Sequence, residues 1–180
     1  MASIVSSRYQ PSPRKWHYAS QIGWKTYLWG GRTQDFLQGG KDILRSTVNV
    51  FDPYVETWDE QHTTGEPPHG IYLGESTSHE MLLYSFAGSD GVHRQNSLHV
   101  LDTNMLVWKE LNSHCKNGPM LKTGCGMVFF GSHYLATIGG HGLPIQPLQH
   151  GATFIKNPNP DYTDGRGWTD EFHVFDITEG

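Results

Sequence analysis

The sequence predicts an all-β, turn-rich protein built from repeats, and three observations carry that prediction. Aromatic residues make up 12% of the 180-residue chain, so a packed core is expected. Glycine (21) and proline (10) together fill 31 of 180 positions, above the ~12% of average chains, and such residues break strands into short pieces. A pattern of alternating apolar and polar residues recurs three times at a spacing near 50 residues.

The repeat reads as follows. Tyr27-Leu28-Trp29-Gly30-Gly31 is followed by Val48-Asn49-Val50-Phe51-Asp52 and then by Trp58. Tyr84-Ser85-Phe86-Ala87-Gly88 is followed by Leu98-His99-Val100-Leu101-Asp102 and then by Trp108. Ala136-Thr137-Ile138-Gly139-Gly140 is followed by Phe172-His173-Val174-Phe175-Asp176. Asp52 and Asp102 lie 50 residues apart, as do Trp58 and Trp108. The third copy is longer because residues 141–168 are inserted into it. Ala87 replaces the first glycine of the pair in copy two, and its small side chain should still permit the turn.

These registered copies resemble the kelch motif over about residues 16–180. Kelch repeats of about 50 residues are four-stranded blades of a β-propeller. The implied architecture is a partial kelch β-propeller of about three four-stranded blades, the third incomplete. A flexible segment 1–15 precedes blade 1 (16–65), blade 2 (66–115) and blade 3 (116–180). In order, the alternation predicts strands at 17–21, 26–29, 47–52 and 57–63 in blade 1. Blade 2 follows with 71–76, 81–86, 97–101 and 107–111, and blade 3 with 125–130, 134–138 and 171–175. Each glycine pair ends a second strand, where positive φ is needed. Trp58 is expected to pack between blades. A third tryptophan at the same spacing would fall beyond position 180, so the outer strand of blade 3 is missing from this count. Three blades cannot close a ring, and the chain reads as a fragment of a larger propeller or as one that closes by association.

Within kelch proteins, Gly139-Gly140-His141-Gly142-Leu143-Pro144 and Gly165-Arg166-Gly167-Trp168-Thr169-Asp170 resemble the small six-bladed kelch domain-containing proteins. Better-known members of that group are substrate receptors of cullin-RING ubiquitin ligases that hold a client's C-terminal tail at the top of the propeller. The resemblance implies Lys122 and Trp168 as pocket residues, with His141 standing where the group has a tyrosine. It also implies a protein or peptide ligand, and a ligase adaptor bound through regions absent here. The arginines that chiefly fix the client's carboxylate in that group belong to later blades. The residues alone point to the same end of the molecule. Loops after the second strands share one rim of a propeller, and they carry Arg32, Lys41, Arg45, His93, Arg94, His141 and Arg166. Cations and aromatics on a rigid ring suit a peptide carboxylate.

Other chemistries find little support. Net charge is −5, which does not favour nucleic acid. No apolar run approaches the ~20 residues of a membrane helix, and no secretory signal opens the chain. Cys115 and Cys125 form no Cys-x-x-Cys pair, and neither has an evident activating base. The 11 histidines show no metal-ligand spacing; His99 and His173 are simply repeat-equivalent. Asp59-Glu60 and Asp170-Glu171 read as solvated strand ends, and residues 157–161 as a mobile, turn-rich loop. No cofactor, no metal and no enzymatic activity are expected, and the location expected is cytoplasmic or nuclear. The function expected is protein–protein interaction, with peptide-tail capture for ubiquitin ligation as the sharper form. Alternatives are a cytoskeletal scaffold or a propeller enzyme whose site lies in missing blades.

Overall fold

A computed structural model describes residues 9–36, 44–111, 118–144, 151–161 and 163–179. Lys41, His114, Cys115 and His150 lie outside the described residues. Three antiparallel sheets follow one another along the chain. The first runs β1 (Tyr18–Ile22), β2 (Lys25–Trp29), β3 (Thr47–Asp52), β4 (Thr57–His62), in chain order. The second runs β6 (Glu75–His79), β7 (Leu82–Phe86), β8 (Leu98–Asp102), β9 (Val107–Glu110), with β5 (Thr64–Gly65) added parallel to β9. The third runs β11 (Gly126–Phe130), β12 (Tyr134–Ile138), β16 (Phe172–Asp176). These are partial kelch propeller blades, and the fold is nearly all β.

Local chemistry explains the recurring residues. The aspartate that ends each third strand caps the next turn: Asp52, Asp102 and Asp176 accept from the backbone N–H of Tyr54, Asn104 and Thr178 at 3.0, 2.8 and 3.0 Å. The glycine pairs take left-handed conformations, and so does Ala87, at φ 60°. An L-residue pays about 1–2 kcal/mol there. At Gly30 the requirement is stricter, because a Cβ would lie 2.2 Å from the Ile71 carbonyl oxygen.

Backbone hydrogen bonds stitch the blades side by side near their inner strands. Leu73 N–H donates to Trp16 O at 3.2 Å, and Gly124 N–H donates to Leu73 O at 2.9 Å. One step further out, Gly31 N–H donates to Ile71 O at 2.6 Å and Gly88 N–H to Lys122 O at 3.1 Å. Each bond links equivalent places in successive blades. Two apolar seams result. Between blades 1 and 2, Tyr18, Trp29, Val48, Val50, Leu83 and Trp108 are buried together. Between blades 2 and 3, Tyr84, Phe86, Leu98, Cys125, Leu135 and Phe175 do the same.

The structure corrects several expectations. The inner strand of blade 2 is Glu75–His79, not 71–76, because Leu73 adopts φ 60° and breaks the extended run. Trp58 does not fill a seam: it is half-buried and rests on Phe51 of its own blade at 5.0 Å. The inserted stretch is not all loop. It supplies β13 (His141–Leu143), β14 (Phe154–Lys156) and β15 (Gly167–Thr169), which join β10 (Leu121–Thr123) in a fourth sheet of order β10-β13-β15-β14. Residues 157–161 are turn-rich as expected, with Asn157 and Asn159 side chains accepting from the N–H two residues on. Residues 9–15 are tied to blade 1. Tyr9 donates to Glu60 at 2.8 Å and Arg14 Nη1 to Gly30 O at 3.0 Å.

Candidate functional site

The fourth sheet continues blade 3 past its glycine pair and forms the rim. Thr123 pairs with His141, and His141 pairs with Trp168, so the β-ladder sets the imidazole and indole side by side. Their ring centroids are 5.4 Å apart. Trp168 is 47% exposed, leaving much of the indole to solvent. Asn157, just after β14, brings its amide nitrogen to 3.5 Å from His141 Nε2. Arg166 enters from the turn before β15, where Asp164 holds its Nε at 2.7 Å and also contacts Nη2. The carboxyl of Asp164 is drawn down to about 2 by that guanidinium.

Arg94 completes the cluster from blade 2. Its neighbour Gln95 bridges to Lys122, with Lys122 N–H donating to Gln95 O at 3.1 Å. That strand-like tie delivers the Arg94 charge to the blade-3 rim. The His141 imidazole feels it: partial burial first, then the charges of Arg94 and Arg166, lower its pKa below the ordinary value. His141 thus holds a proton less readily than an isolated imidazole, although the Asp164 carboxylate acts in the opposite sense. The arrangement offers fixed positive charge, an amide and an exposed aromatic plane within one small area, which suits an anionic peptide group.

The other two expected site residues sit elsewhere. Lys122 is fully buried beneath the rim. Its ammonium bonds Glu171 Oε2 at 2.8 Å, and the same carboxylate accepts from Met120 N–H at 3.2 Å. Lys122 thus braces β10 from below. Arg32 occupies the repeat position of His141, two blades away, where its guanidinium lies 5.7 Å over the Phe36 ring. Arg45 is occupied by the Pro67 and Pro68 carbonyls, and His93 is exposed beside Asp90.

Sequence reasoning missed Asp164, Asn157 and Glu171. Asp164 had a local signal in its two-residue spacing from Arg166. Glu171 contradicts its reading as a solvated end, since it is 3% exposed. The repeat register held a hint: Thr47, at the equivalent place in blade 1, also opens a buried strand. Among the described residues, no three His, Cys, Asp or Glu side chains group as metal ligands would. Burial pushes the Cys125 thiol up to about 11.

Comparison with known proteins agrees with this architecture. The family model described as the KLHDC2/KLHL20/DRC7 Kelch-repeats domain matches residues 2–140. Similar proteins include the Rab9 effector protein with kelch motifs of Gallus gallus, 36% identical over 74 residues, which are 39% of this chain and 20% of that protein. Acyl-CoA-binding domain-containing protein 4 of Arabidopsis thaliana is 32% identical over 97 residues, 52% of this chain and 14% of that protein. The tRNA wybutosine-synthesizing protein 2/3/4 of the same plant is 27% identical over 110 residues, 60% of this chain and 10% of that protein. The matched part is a fifth or less of each relative. The chain belongs to the kelch-repeat family. Domains of this kind generally serve as protein–protein interaction modules and are typically non-enzymatic. His141, Arg166 and Trp168 lie beyond the matched residues.

Proposed function

We propose that this kelch chain is a protein-interaction module whose blade-3 rim receives the C-terminal tail of a client polypeptide, as a ubiquitin-ligase substrate receptor does. The observation that supports this reading is the His141–Trp168 ring pair at 5.4 Å with much of the indole exposed, set where the charges of Arg94 and Arg166 act on the imidazole. The Arg166–Asp164 pair supports it, since Arg166 bonds a carboxylate within its own turn. A tail carboxylate would address the same cations, and the preceding side chain would lie on the indole. The resemblance of Gly139–Pro144 and Gly165–Asp170 to the small six-bladed kelch proteins, whose better-known members are ligase receptors, adds the ubiquitin connection.

Peptides identical but for a free or amidated C-terminus test the carboxylate. The free acid should bind more tightly; equal affinity overturns the pocket. Trp168→Ala should weaken binding while leaving the unfolding midpoint in place. Binding of an anion beside His141 would raise the imidazole pKa, so affinity should increase as pH falls through the histidine range. Co-purification of a cullin with the chain from cells tests the ligase connection separately.

A further inference from the structure

The segment that leads into blade 1 carries Pro11-Ser12-Pro13-Arg14-Lys15, and residues 9–14 belong to no strand. Ser12 is exposed. The prolines on either side fix their own φ, and Pro13 keeps Ser12 out of the helical region, so the hydroxyl stands on an extended stretch. Ser12 is the only serine or threonine in the sequence followed by proline, and a lysine stands three places after it. Proline-directed protein kinases select serine in that setting: an extended, accessible chain, proline next, and a basic residue at the third place. The repeat itself makes the place accessible. His69 occupies it in blade 2, 57 residues on, as Ala87 follows Gly30 by 57. His69 is exposed although blade 1 packs beside it.

The hydroxyl already faces a cation. Arg14 Nη2 donates to Ser12 Oγ at 3.4 Å and Arg14 Nε to Ser12 O at 3.1 Å, while Nη1 is anchored on Gly30 O at 3.0 Å. Two further cations stand close by. Lys15 and Arg32 are directly opposite each other in an antiparallel bridge, with Arg32 N–H donating to Lys15 O at 2.8 Å and Lys15 N–H to Arg32 O at 3.2 Å. Side chains paired in this way leave on one side of the bridge, and like charges there repel. Each has an aromatic ring beneath it, Trp16 at 4.1 Å and Phe36 at 5.7 Å. Among the described residues, neither forms an ion pair with a carboxylate. Arg14, Lys15 and Arg32 line one cavity of about 510 Å³ with Pro13, Thr33 and Gln34, and Asp35 stays outside it. Glu60, the carboxylate whose charge reaches Arg14, accepts from the Tyr9 hydroxyl at 2.8 Å. Three cations therefore meet beside Ser12 with no carboxylate among them, in a chain of net charge −5.

We propose that Ser12 is a phosphorylation site for a proline-directed kinase, and that Arg14, Lys15 and Arg32 receive the resulting phosphoserine within the same chain. In the transfer, Ser12 Oγ bonds to the γ-phosphorus of a nucleoside triphosphate. The bond from that phosphorus to the β,γ-bridging oxygen breaks, and its electron pair leaves with the nucleoside diphosphate. The hydroxyl proton passes through the kinase's base to solvent. The product carries about two negative charges and three acceptor oxygens. Arg14 takes the first of them, because its Nη2 already lies on the oxygen that becomes the ester. The mutual repulsion of Lys15 and Arg32 becomes attraction to a shared anion, and the leading segment is fixed to the rim of blade 1.

The test treats the full chain with a cyclin-dependent kinase and magnesium ATP. Mass spectrometry should find one phosphoryl group, at Ser12. Ser12→Ala should remove it, and Pro13→Ala or Lys15→Ala should slow its incorporation at least about tenfold. Phosphorus NMR then reads the docking. The second pKa of the phosphoserine should lie about half a pH unit below that of a phosphorylated peptide of residues 9–17, and Arg32→Gln should bring it most of the way back. No incorporation, or incorporation elsewhere with Ser12 bare, overturns the site. A phosphoserine that titrates as the free peptide does, unmoved by Arg32→Gln, overturns the docking.

Discussion

The two seams of the molecule occupy equivalent places in the repeat but are closed differently. Between blades 1 and 2, Trp29 packs on Trp108 at 5.2 Å and on Tyr18 at 4.9 Å, and Ile71 fills the rim end. Between blades 2 and 3, the smaller Phe86 and Phe175 meet at 5.4 Å, and the place of Ile71 is taken by Lys122. Its ammonium pairs with Glu171 at 2.8 Å and lies 5.8 Å over the Phe86 ring. One seam has the apolar Ile71 at its rim end, and the other carries a buried ion pair directly below the strand that sets His141. A repeat scaffold fixes where side chains meet, and leaves open what chemistry fills the meeting place.

The largest effect should come from the tryptophans. Trp108 is 1% exposed, so Trp108→Ala should cost about 5 kcal/mol, the top of the range for a buried tryptophan. Trp58, the same residue of the same motif, is half-buried over Phe51. Trp58→Ala should cost about 1–2 kcal/mol. Urea unfolding measures both, and similar losses would erase the distinction between a seam and an open face.

The ion pair comes next. Lys122→Ile leaves the Glu171 carboxylate buried beside one N–H, and should cost about 4 kcal/mol. Adding Glu171→Ser reproduces what blade 2 has at Ile71 and Ser97, and should recover most of that loss. A double variant no better than the single would mean that the pair is more than a local compensation. The double variant should also shift binding at the rim, because β10 would lose its brace.

Which features were legible follows from how local their causes are. The Asp, the glycine pair and the alternation act within a few residues, so third strands and turns fell at or beside their expected places. Ile71 and Tyr72 were apolar for another reason, the seam, and drew the inner strand of blade 2 four residues too early. β13, β14 and β15 have three residues each and exist only because they pair across long separations, as Lys156 does with Gly167. Trp168, His141 and Lys122 were visible through family resemblance, but spacing could not say that Lys122 is buried. That depended on Glu171, 49 residues away.

The seam with the two tryptophans is expected to be acid-sensitive. His99 Nδ1–H donates to Glu66 O at 3.0 Å, and burial lowers its pKa to about 4. Above pH 6.5 neither folded nor unfolded chain protonates it, and its contribution is intact. As pH falls toward 4, the unfolded chain takes up a proton that the folded one refuses. Stability should drop by about 3 kcal/mol over that window from this group alone. His99→Asn, which copies Asn49 of blade 1, should flatten the profile; an unchanged acid loss would assign it to other groups.

The smallest effect separates a turn inside a seam from one outside. Gly30, Ala87 and Gly139 are equivalent, with φ of 63°, 60° and 68°. Ala87 shows that a methyl group is compatible with this backbone at a cost. At Gly139 an added Cβ would meet nothing closer than Thr169 O at 3.5 Å, an ordinary contact. Gly139→Ala should therefore cost only the left-handed penalty, about 1 kcal/mol. At Gly30 the same methyl would meet Ile71 O at 2.2 Å, and this carbonyl is also the acceptor for Gly31 N–H. Gly30→Ala must push the blades apart or break that bond, so its loss should exceed the Gly139→Ala loss severalfold. Equal losses in urea would show that blade 2 can slide against blade 1.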